Sequence, residues 1–267
     1  MSSLVSRVLV AVVLLPLVVG VVYLGGWWLL ALALAGGLVA LHELYTMART
    51  HRPVVLAGYL GLVLALVGFQ LGGLAWMLGG LLATFVFSFV VFGLSDVRPS
   101  ATTSFGVTLL GVLWVGAGLG FLLLVRDIPE NGFWAVMAVL FTVFAADTAA
   151  FFVGRAVGRH RMAPAISPGK TWEGFVGGVV AAMLVAFVIL YKDRDEFLSI
   201  PEMLLLGAAV ALAAVLGDLF ESAVKRDLEV KDSGRLLGGH GGMLDRLDAL
   251  LWAGPAAYYV ILAVGGT

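Results

Sequence analysis

Residues 203–222 read MLLLGAAVALAAVLGDLFES, an apolar run that first meets a charge at Asp218. Twenty residues of α-helix rise about 30 Å, which matches the hydrocarbon thickness of a lipid bilayer. The stretch therefore predicts a membrane-spanning helix with a carboxylate toward one end. Comparable runs recur along the chain, and together they predict about nine spans. These spans lie near residues 8–24, 27–46, 54–70, 73–93, 105–125, 133–153, 172–191, 203–222 and 250–265.

The composition of the 267-residue chain also indicates a membrane protein. Hydrophobic residues make up 61% of the chain and charged residues only 12%, against about 25% charged in an average soluble domain. This shortage of charge excludes a soluble enzyme, a disordered chain and a nucleic-acid-binding protein with a basic face. The absence of cysteine excludes disulfides, zinc–thiolate sites, iron–sulfur clusters and thiol nucleophiles. We therefore expect an all-α, polytopic integral membrane protein.

The basic residues are distributed very unequally over the connecting segments. With nine alternating spans, all but three of the 16 Lys and Arg residues fall on the side of the N-terminus, as do the four His residues. Because basic residues accumulate on the cytoplasmic side, the N-terminus is predicted to be cytoplasmic and the C-terminus outside. We expect N-terminal spans in residues 1–130 and a catalytic region in residues 131–267, with cytoplasmic loops at 154–171 and 223–249.

Acidic residues inside predicted spans are costly to place in lipid and therefore invite a functional interpretation. Asp147 and Asp218 each lie in an otherwise apolar span. For His42 and Glu43, late in the second span, we favour a structural role such as joining helices. Asp218, Glu221, Ser222 and Lys225 follow at i, i+3, i+4 and i+7 and therefore share one helix face. For this face we favour a function over an internal ion pair or snorkelling at the helix end, because of the charged, glycine-rich segment that follows it.

The predicted loop before the seventh span contains the segment SPGKTWEG at residues 167–174. Its Gly-Lys-Thr sequence is typical of phosphate-binding P-loops, which need another glycine five residues before the Gly–Lys pair. Position 164 is proline and no strand is predicted before the segment, so we reject a P-loop. Lys170 remains a candidate phosphate contact, because it precedes a predicted helix and helix N-termini attract anions.

The segment between the last two predicted spans, residues 222–248, combines five basic residues with several aspartates and a glycine-rich centre at 238–242. Glycines let backbone N–H groups approach a phosphate closely, and basic side chains neutralise phosphate oxygens. Carboxylates hold Mg²⁺ together with substrate phosphates. The segment therefore favours a phosphate and metal site at the cytoplasmic face over a merely flexible charged loop.

The same segment closely resembles the signature of the phosphatidate cytidylyltransferases, or CDP-diacylglycerol synthases. Gly238 stands where many members of that family have proline. Asp147-Thr148, Gly154-Arg155 and residues 167–174 are also similar to that family, so the resemblance extends over residues 140–250. The matching signature positions are Ser222, Val224, Lys225, Arg226, Lys231, Asp232, Gly234, Leu237, Gly238, His240, Gly241, Gly242, Met243, Asp245, Arg246, Leu247 and Asp248.

The resemblance implies a reaction in which CTP and phosphatidate give CDP-diacylglycerol and pyrophosphate. The acyl chains of phosphatidate stay in membrane lipid while CTP is cytoplasmic. The site is therefore expected at the cytoplasmic membrane, facing the cytoplasm. The resemblance also implies Mg²⁺ as cofactor, leaves room for a second cation such as K⁺, and suggests a homodimer.

The resemblance further implies roles for individual residues. Asp218 and Asp245 are expected to hold the metal. Asp248 is expected either to support these ligands without touching the metal or to bind the second cation. His240 would hydrogen-bond phosphate or move a proton, and a purely structural role stays open for it. The expected catalytic residues are Asp218, Lys225, His240, Asp245 and Asp248. The residues expected to bind the substrates, or to orient the groups that do, are Asp147, Lys170, Glu173, Ser222, Arg226, Lys231, Gly241, Gly242 and Arg246.

Two other functions stay open at this point. A CTP-dependent transferase that acts on another lipid phosphate or on a polyprenol would carry the same polar motifs. An ion-coupled transporter would also have carboxylates in its spans. Transporters place such groups near the bilayer midplane with access from both sides, whereas the polar residues of this chain cluster on one side. The transporter is therefore the weaker alternative.

Overall fold

A computed structural model describes residues 15–95, 100–234 and 241–265, and these residues are predominantly helical. Six helices in this described part are long and apolar enough to cross a membrane: Gly26–Met47, Val55–Gly93, Ala101–Arg126, Gly132–Val157, Trp172–Asp193 and Ile200–Asp227. This finding confirms the prediction of a helical integral membrane protein, while the nine-span count and the orientation of the termini stay predictions. A shorter apolar helix, Leu15–Leu24, covers that part of the first predicted span which the structure describes.

The helices of the described residues are numbered in chain order. They are α1 (Leu15–Leu24), α2 (Gly26–Met47), α3 (Val55–Gly93), α4 (Ala101–Gly111), α5 (Gly118–Arg126), α6 (Gly132–Val157), α7 (Trp172–Leu190), α8 (Ile200–Asp227) and α9 (Leu244–Ala263). A π-helical turn at Val112–Ala117 joins α4 to α5, and short 3₁₀ turns occupy Arg49–His51 and Tyr191–Asp193. Strands β1 (Arg161–Ala163) and β2 (Ser167–Thr171) pair antiparallel, with Arg161 opposite Thr171. The predicted loop 154–171 therefore contains the end of α6 and a β-hairpin.

Helix α3 consists of two halves that fold back on each other. A straight helix of its 39 residues would be about 58 Å long, well beyond the ~30 Å hydrocarbon core of a bilayer. The backbone leaves helical geometry at Gly73, whose φ of +67° favours glycine. Beyond this turn, a side chain at Gly80 would collide with the backbone of Ala65. The separately predicted spans 54–70 and 73–93 correspond to the two halves.

The structure divides into two compact units. The first contains the residues up to Leu124 together with Leu228–Leu247. Helices α2, α3 and α4 contact one another in it, and the buried Tyr45 hydroxyl of α2 donates a hydrogen bond to the Thr108 carbonyl of α4 at 2.8 Å. A segment of the signature region, more than a hundred residues later in sequence, thus belongs to the same unit as α2.

The second unit contains Val125–Asp227 and Asp248–Thr267. Helices α6, α7 and α8 contact one another in it. A Cβ at Gly174 of α7 would lie 2.6 Å from the Ala150 carbonyl oxygen of α6, so only glycine permits this approach. Such contacts through small residues are how helices pack in lipid, where apolar side chains gain little from leaving the acyl chains. The assignment of catalysis to residues 131–267 stays a prediction.

Candidate active site

The β-hairpin and the start of α7 form one hydrogen-bonded junction in the second unit. The Thr171 hydroxyl caps α7 by accepting a hydrogen bond from the Gly174 N–H at 3.1 Å, as threonine commonly does at helix starts. The Trp172 N–H donates to the His160 carbonyl at 2.9 Å. Capping and strand pairing together fix the backbone of Lys170, which is the residue immediately before the cap.

Glu173, in the first turn of α7, has His160 as its hydrogen-bonding partner at this junction. Its carboxylate lies 2.6 Å from the ring Nδ1 of His160 and accepts a hydrogen bond from the His160 N–H at 3.2 Å. The His160 side chain is 77% exposed. The proposed role of Glu173 in orienting basic residues stays a prediction.

Lys170 and Asp218 form an ion pair in the second unit. The Lys170 ammonium lies 2.7 Å from a carboxylate oxygen of Asp218, and it also donates to the Val215 carbonyl at 3.5 Å. The Ser222 hydroxyl donates to the other Asp218 oxygen at 3.4 Å. The structure thus brings the Gly-Lys-Thr segment against the polar face of α8, although 48 positions of sequence separate the two charged residues.

Two further carboxylates lie near this ion pair. Asp147 of α6 and Asp248 of α9 lie within electrostatic range of Asp218. Lys170 lies within the same range of Asp147, and Lys225 within that of Asp248. We call these five side chains the carboxylate–lysine cluster. It contains three carboxyl groups and two ammonium groups.

Lys225 is held by a second acidic residue of the same helix. Its ammonium donates a hydrogen bond to a carboxylate oxygen of Glu221, one turn earlier in α8. The Glu221 side chain is only 2% exposed. Glu221 was noticed on the polar face of α8 but not assigned a site role. Its position at i−4 from a lysine was the sequence signal for this pair.

The remaining basic residues of the signature are more exposed. Arg226 donates a hydrogen bond from its Nε to the Ile166 carbonyl at 3.5 Å, which connects the end of α8 to the hairpin. Lys231 and Arg246 have exposed side chains. His240 lies outside the described residues, so its role stays a prediction.

In the first unit, the Asp245 carboxylate is held by backbone N–H groups. It accepts hydrogen bonds from the Gly242 N–H at 2.7 Å and from the Ser233 N–H at 3.1 Å. Gly241 precedes this contact with a φ of +78°, a conformation that glycine adopts readily. The signature glycines therefore shape the backbone that surrounds Asp245.

Glu43 also joins this region of the first unit. Its carboxylate accepts hydrogen bonds from the Ser233 hydroxyl and from the N–H groups of Met243 and Leu244. These contacts agree with the structural role that we favour for Glu43 from sequence, whereas no spacing in the sequence indicates its partners.

The carboxylates of the second unit suit a hard cation. Asp218 and its neighbours offer oxygen ligands, which Mg²⁺ prefers, and Mg²⁺ commonly binds through one or two carboxylates plus substrate phosphates. Within residues 15–95, 100–234 and 241–265, no group of three or more His, Asp or Glu side chains is arranged to hold a metal ion by itself. A metal ion at Asp218 stays a prediction.

Apolar helices that carry a cluster of lysines and carboxylates define an integral membrane protein equipped for phosphate chemistry. Residues 5–264 match the model of the cytidylyltransferase family. The chain therefore belongs to the cytidylyltransferase family, which confirms the resemblance found in the signature segment.

Similar proteins carry names that agree with this membership. A phosphatidate cytidylyltransferase from Bacillus subtilis is 32% identical over 266 residues, which is 96% of this chain and 95% of that protein. One from Staphylococcus haemolyticus is 31% identical over 252 residues, covering 93% and 95% of the two chains. One from Haemophilus influenzae is 42% identical over 134 residues, covering 49% of this chain and 46% of that protein.

Proposed function

We propose that this protein transfers the cytidylyl group of CTP to phosphatidate, giving CDP-diacylglycerol and pyrophosphate. Family membership and the names of relatives that align over almost the whole chain support this function. The structural observation that carries the proposal is the 2.7 Å ion pair between Lys170 and Asp218. It brings the two polar motifs, 167–174 and the face of α8, together in one cluster, to which we assign phosphate and metal binding.

In the proposed reaction, a phosphate oxygen of phosphatidate forms a bond to the α-phosphorus of CTP. The bond between that phosphorus and the pyrophosphate oxygen breaks, and pyrophosphate leaves. This chemistry depends on positioning and charge neutralisation, with no covalent help from the protein. Lys170 pairs with Asp218, and Lys225 pairs with Glu221. Phosphate oxygens offer alternative acceptors for the same two ammonium groups.

The proposed cofactor is Mg²⁺, with a second cation such as K⁺ beside it. Asp218 would supply carboxylate oxygens to Mg²⁺, and Asp248 would support it or hold the second cation. When bound, Mg²⁺ would neutralise triphosphate charge and favour the departure of pyrophosphate. Asp245 is the other expected ligand, and its pairing with Asp218 at one ion stays a prediction.

We also propose that the active site faces the cytoplasm and that the protein forms a homodimer. The unequal distribution of basic residues supports the orientation, and the family resemblance supports the dimer. The chain has no cysteine, so single cysteines introduced by Glu229→Cys and Asp195→Cys can each report the side of an exposed position. A membrane-impermeant thiol reagent added to intact cells should label Asp195→Cys and not Glu229→Cys. Light scattering of the purified protein in detergent should give the mass of a dimer.

The function is tested with purified protein in detergent, phosphatidate, labelled CTP and Mg²⁺, with excess chelator in a parallel reaction. We expect CDP-diacylglycerol to form and the chelator to abolish its formation. Lys170→Gln should lower turnover by about 100-fold, because removal of one charge-stabilising donor costs about 10²–10³ in rate. The matched control is Lys192→Gln, which changes an exposed lysine in the 3₁₀ turn after α7.

If Lys170→Gln turns over as fast as the Lys192→Gln control, the role given to the ion pair is contradicted. Folded wild-type protein that uses CTP with another lipid phosphate or a polyprenol, but not with phosphatidate, would contradict the proposed acceptor. Product formation that is insensitive to chelator would contradict the proposed metal.

A further inference from the structure

A buried carboxylate at the end of α2 holds the start of α9, the helix that contains Asp245. Glu43 is 7% exposed. One of its oxygens accepts a hydrogen bond from the Met243 N–H at 3.0 Å. The other accepts from the Leu244 N–H at 2.9 Å and from the Ser233 hydroxyl at 3.0 Å. All three donors lie about 190 or more positions later in the chain, and they belong to the same compact unit as Glu43.

The two backbone donors, the N–H groups of Met243 and Leu244, lie at the start of a helix and have no acceptor within it. Leu244 is the first residue of α9 and Met243 precedes it. The first N–H groups of a helix have no intrahelical acceptor, and the helix dipole there favours a negative charge. Glu43 therefore caps α9 from another helix, and it does so with both carboxylate oxygens.

The glycines around this contact fit the carboxylate. A Cβ at Gly242 would lie 2.7 Å from the Glu43 carboxyl carbon, and a Cβ at Gly234 would lie 2.8 Å from the same atom. Both distances are too short for a real side chain. Two glycines of the signature segment are thus required by a residue of α2, about 190 positions before them.

The same hydrogen bonds continue to the Asp245 side chain. The Ser233 hydroxyl, which donates to Glu43, also accepts a hydrogen bond from the Asp245 N–H at 3.3 Å. The Ser233 N–H and the Gly242 N–H both donate to the Asp245 carboxylate. Glu43 therefore fixes the two backbone segments that orient Asp245.

We propose that Glu43 is a positioning residue for Asp245: it holds residues 233 and 242–244 so that the Asp245 carboxylate keeps one orientation. The inference rests on the proposed function to the extent that Asp245 is an expected metal ligand of that reaction. Its structural part, the immobilisation of Ser233 and of the start of α9 by Glu43, is measurable without turnover.

The sharpest variant is Glu43→Gln, because both carboxylate oxygens face N–H donors. A glutamine must direct its NH₂ group at the donors of one oxygen position, so at least one hydrogen bond is lost whichever way the amide turns. Ser233→Ala is a milder second variant that leaves both backbone contacts of Glu43 in place. The matched control is Glu202→Gln, which changes a carboxylate that accepts the exposed Ser199 N–H near the start of α8 at 2.7 Å.

Two measurements test the inference in full-length protein in detergent. Amide hydrogen exchange of a peptide covering residues 241–250 should become about 10-fold faster in Glu43→Gln, while peptides of α6 and α7 stay unchanged. Turnover should fall about 10- to 100-fold, with a higher Mg²⁺ concentration needed for half-maximal rate, because residues that orient metal ligands have effects of that size. Ser233→Ala should shift both readouts in the same direction by less, and the control should shift neither.

The double variant Glu43→Gln/Ser233→Ala gives a further check. Residues of one network are not additive, so the double variant should be little worse than Glu43→Gln alone. Unchanged exchange and unchanged Mg²⁺ dependence in Glu43→Gln would overturn the inference while leaving the proposed function intact. If Glu43→Gln does not fold, unchanged readouts in Ser233→Ala would overturn it. Wild-type protein that makes no CDP-diacylglycerol would contradict the proposed function. If Glu43→Gln still exchanged faster than that wild-type protein, the positioning role would be supported all the same.

Discussion

Glu43 and Asp218 are both acidic residues of apolar helices, but different groups stabilise them. Glu43 is 7% exposed and accepts hydrogen bonds from a hydroxyl and two backbone N–H groups. The Asp218 side chain is 37% exposed and pairs with the ammonium of Lys170. Backbone N–H groups at a helix start cannot turn away, whereas a lysine can bind a phosphate instead. The first arrangement therefore suits fixing a loop, and the second suits binding a substrate.

The largest effect is expected from Asp218→Asn. This change removes the negative charge that pairs with Lys170, and Asp218 is also an expected metal ligand. Turnover of CTP with phosphatidate should fall about 100- to 1,000-fold or more, because a charged group at the reacting centre is lost. Glu202→Gln is the control for loss of an acidic side chain in the same helix. If Asp218→Asn turns over within a few-fold of the control, a catalytic role for the cluster is contradicted. If Asp218→Asn loses less turnover than Glu43→Gln does, the roles given to the two carboxylates are reversed.

An intermediate effect is expected from Gly242→Ala, which tests the glycine contact with Glu43. The added methyl group would meet the Glu43 carboxyl group and the Ser233 hydroxyl, and overpacking of this kind costs about 1–3 kcal/mol of stability. We expect a lower thermal midpoint and faster amide exchange at residues 241–250. In Gly106→Ala, where no atom lies within 4 Å of the new Cβ, α4 should be unaffected or slightly stabilised.

The smallest effect is expected from His160→Ala, which breaks the contact between His160 and Glu173. The His160 side chain is 77% exposed, and exposed pairs contribute about 0–1 kcal/mol to stability. The thermal midpoint should therefore change by no more than a few degrees, and turnover by less than about threefold. If Glu173→Gln lowers turnover much more than His160→Ala does, the predicted role of Glu173 in orienting basic residues gains support over a role limited to this pair.

Much of the fold could be predicted because hydropathy acts locally. A run of about 20 apolar residues predicts a helix in lipid whatever the rest of the chain does, and the structure has six such helices, which cover the predicted spans between residues 27 and 222. The spans 54–70 and 73–93 were predicted separately, and the structure has a turn between them at Gly73. The family could likewise be predicted, because the signature of residues 222–248 is a contiguous pattern.

The hairpin of residues 161–171 was missed because its strands are only three and five residues long. Such short strands leave little periodic pattern, and their pairing depends on the neighbouring helix ends. Glu221 was placed on the correct face of α8 by spacing, but its contact with Lys225 is a matter of side-chain geometry. Patterns along the chain therefore identified the polar helix faces, while the pairings on them needed coordinates.

The sequence by itself determined that this is a helical membrane protein of the cytidylyltransferase family, and which polar residues interrupt its apolar helices. Only the tertiary structure decided which partner each carboxylate has: Lys170 for Asp218, and the start of α9 for Glu43. The physical reason is that insertion into lipid depends on the composition of one segment, whereas a hydrogen bond or ion pair depends on distances of about 3 Å between segments far apart in the chain.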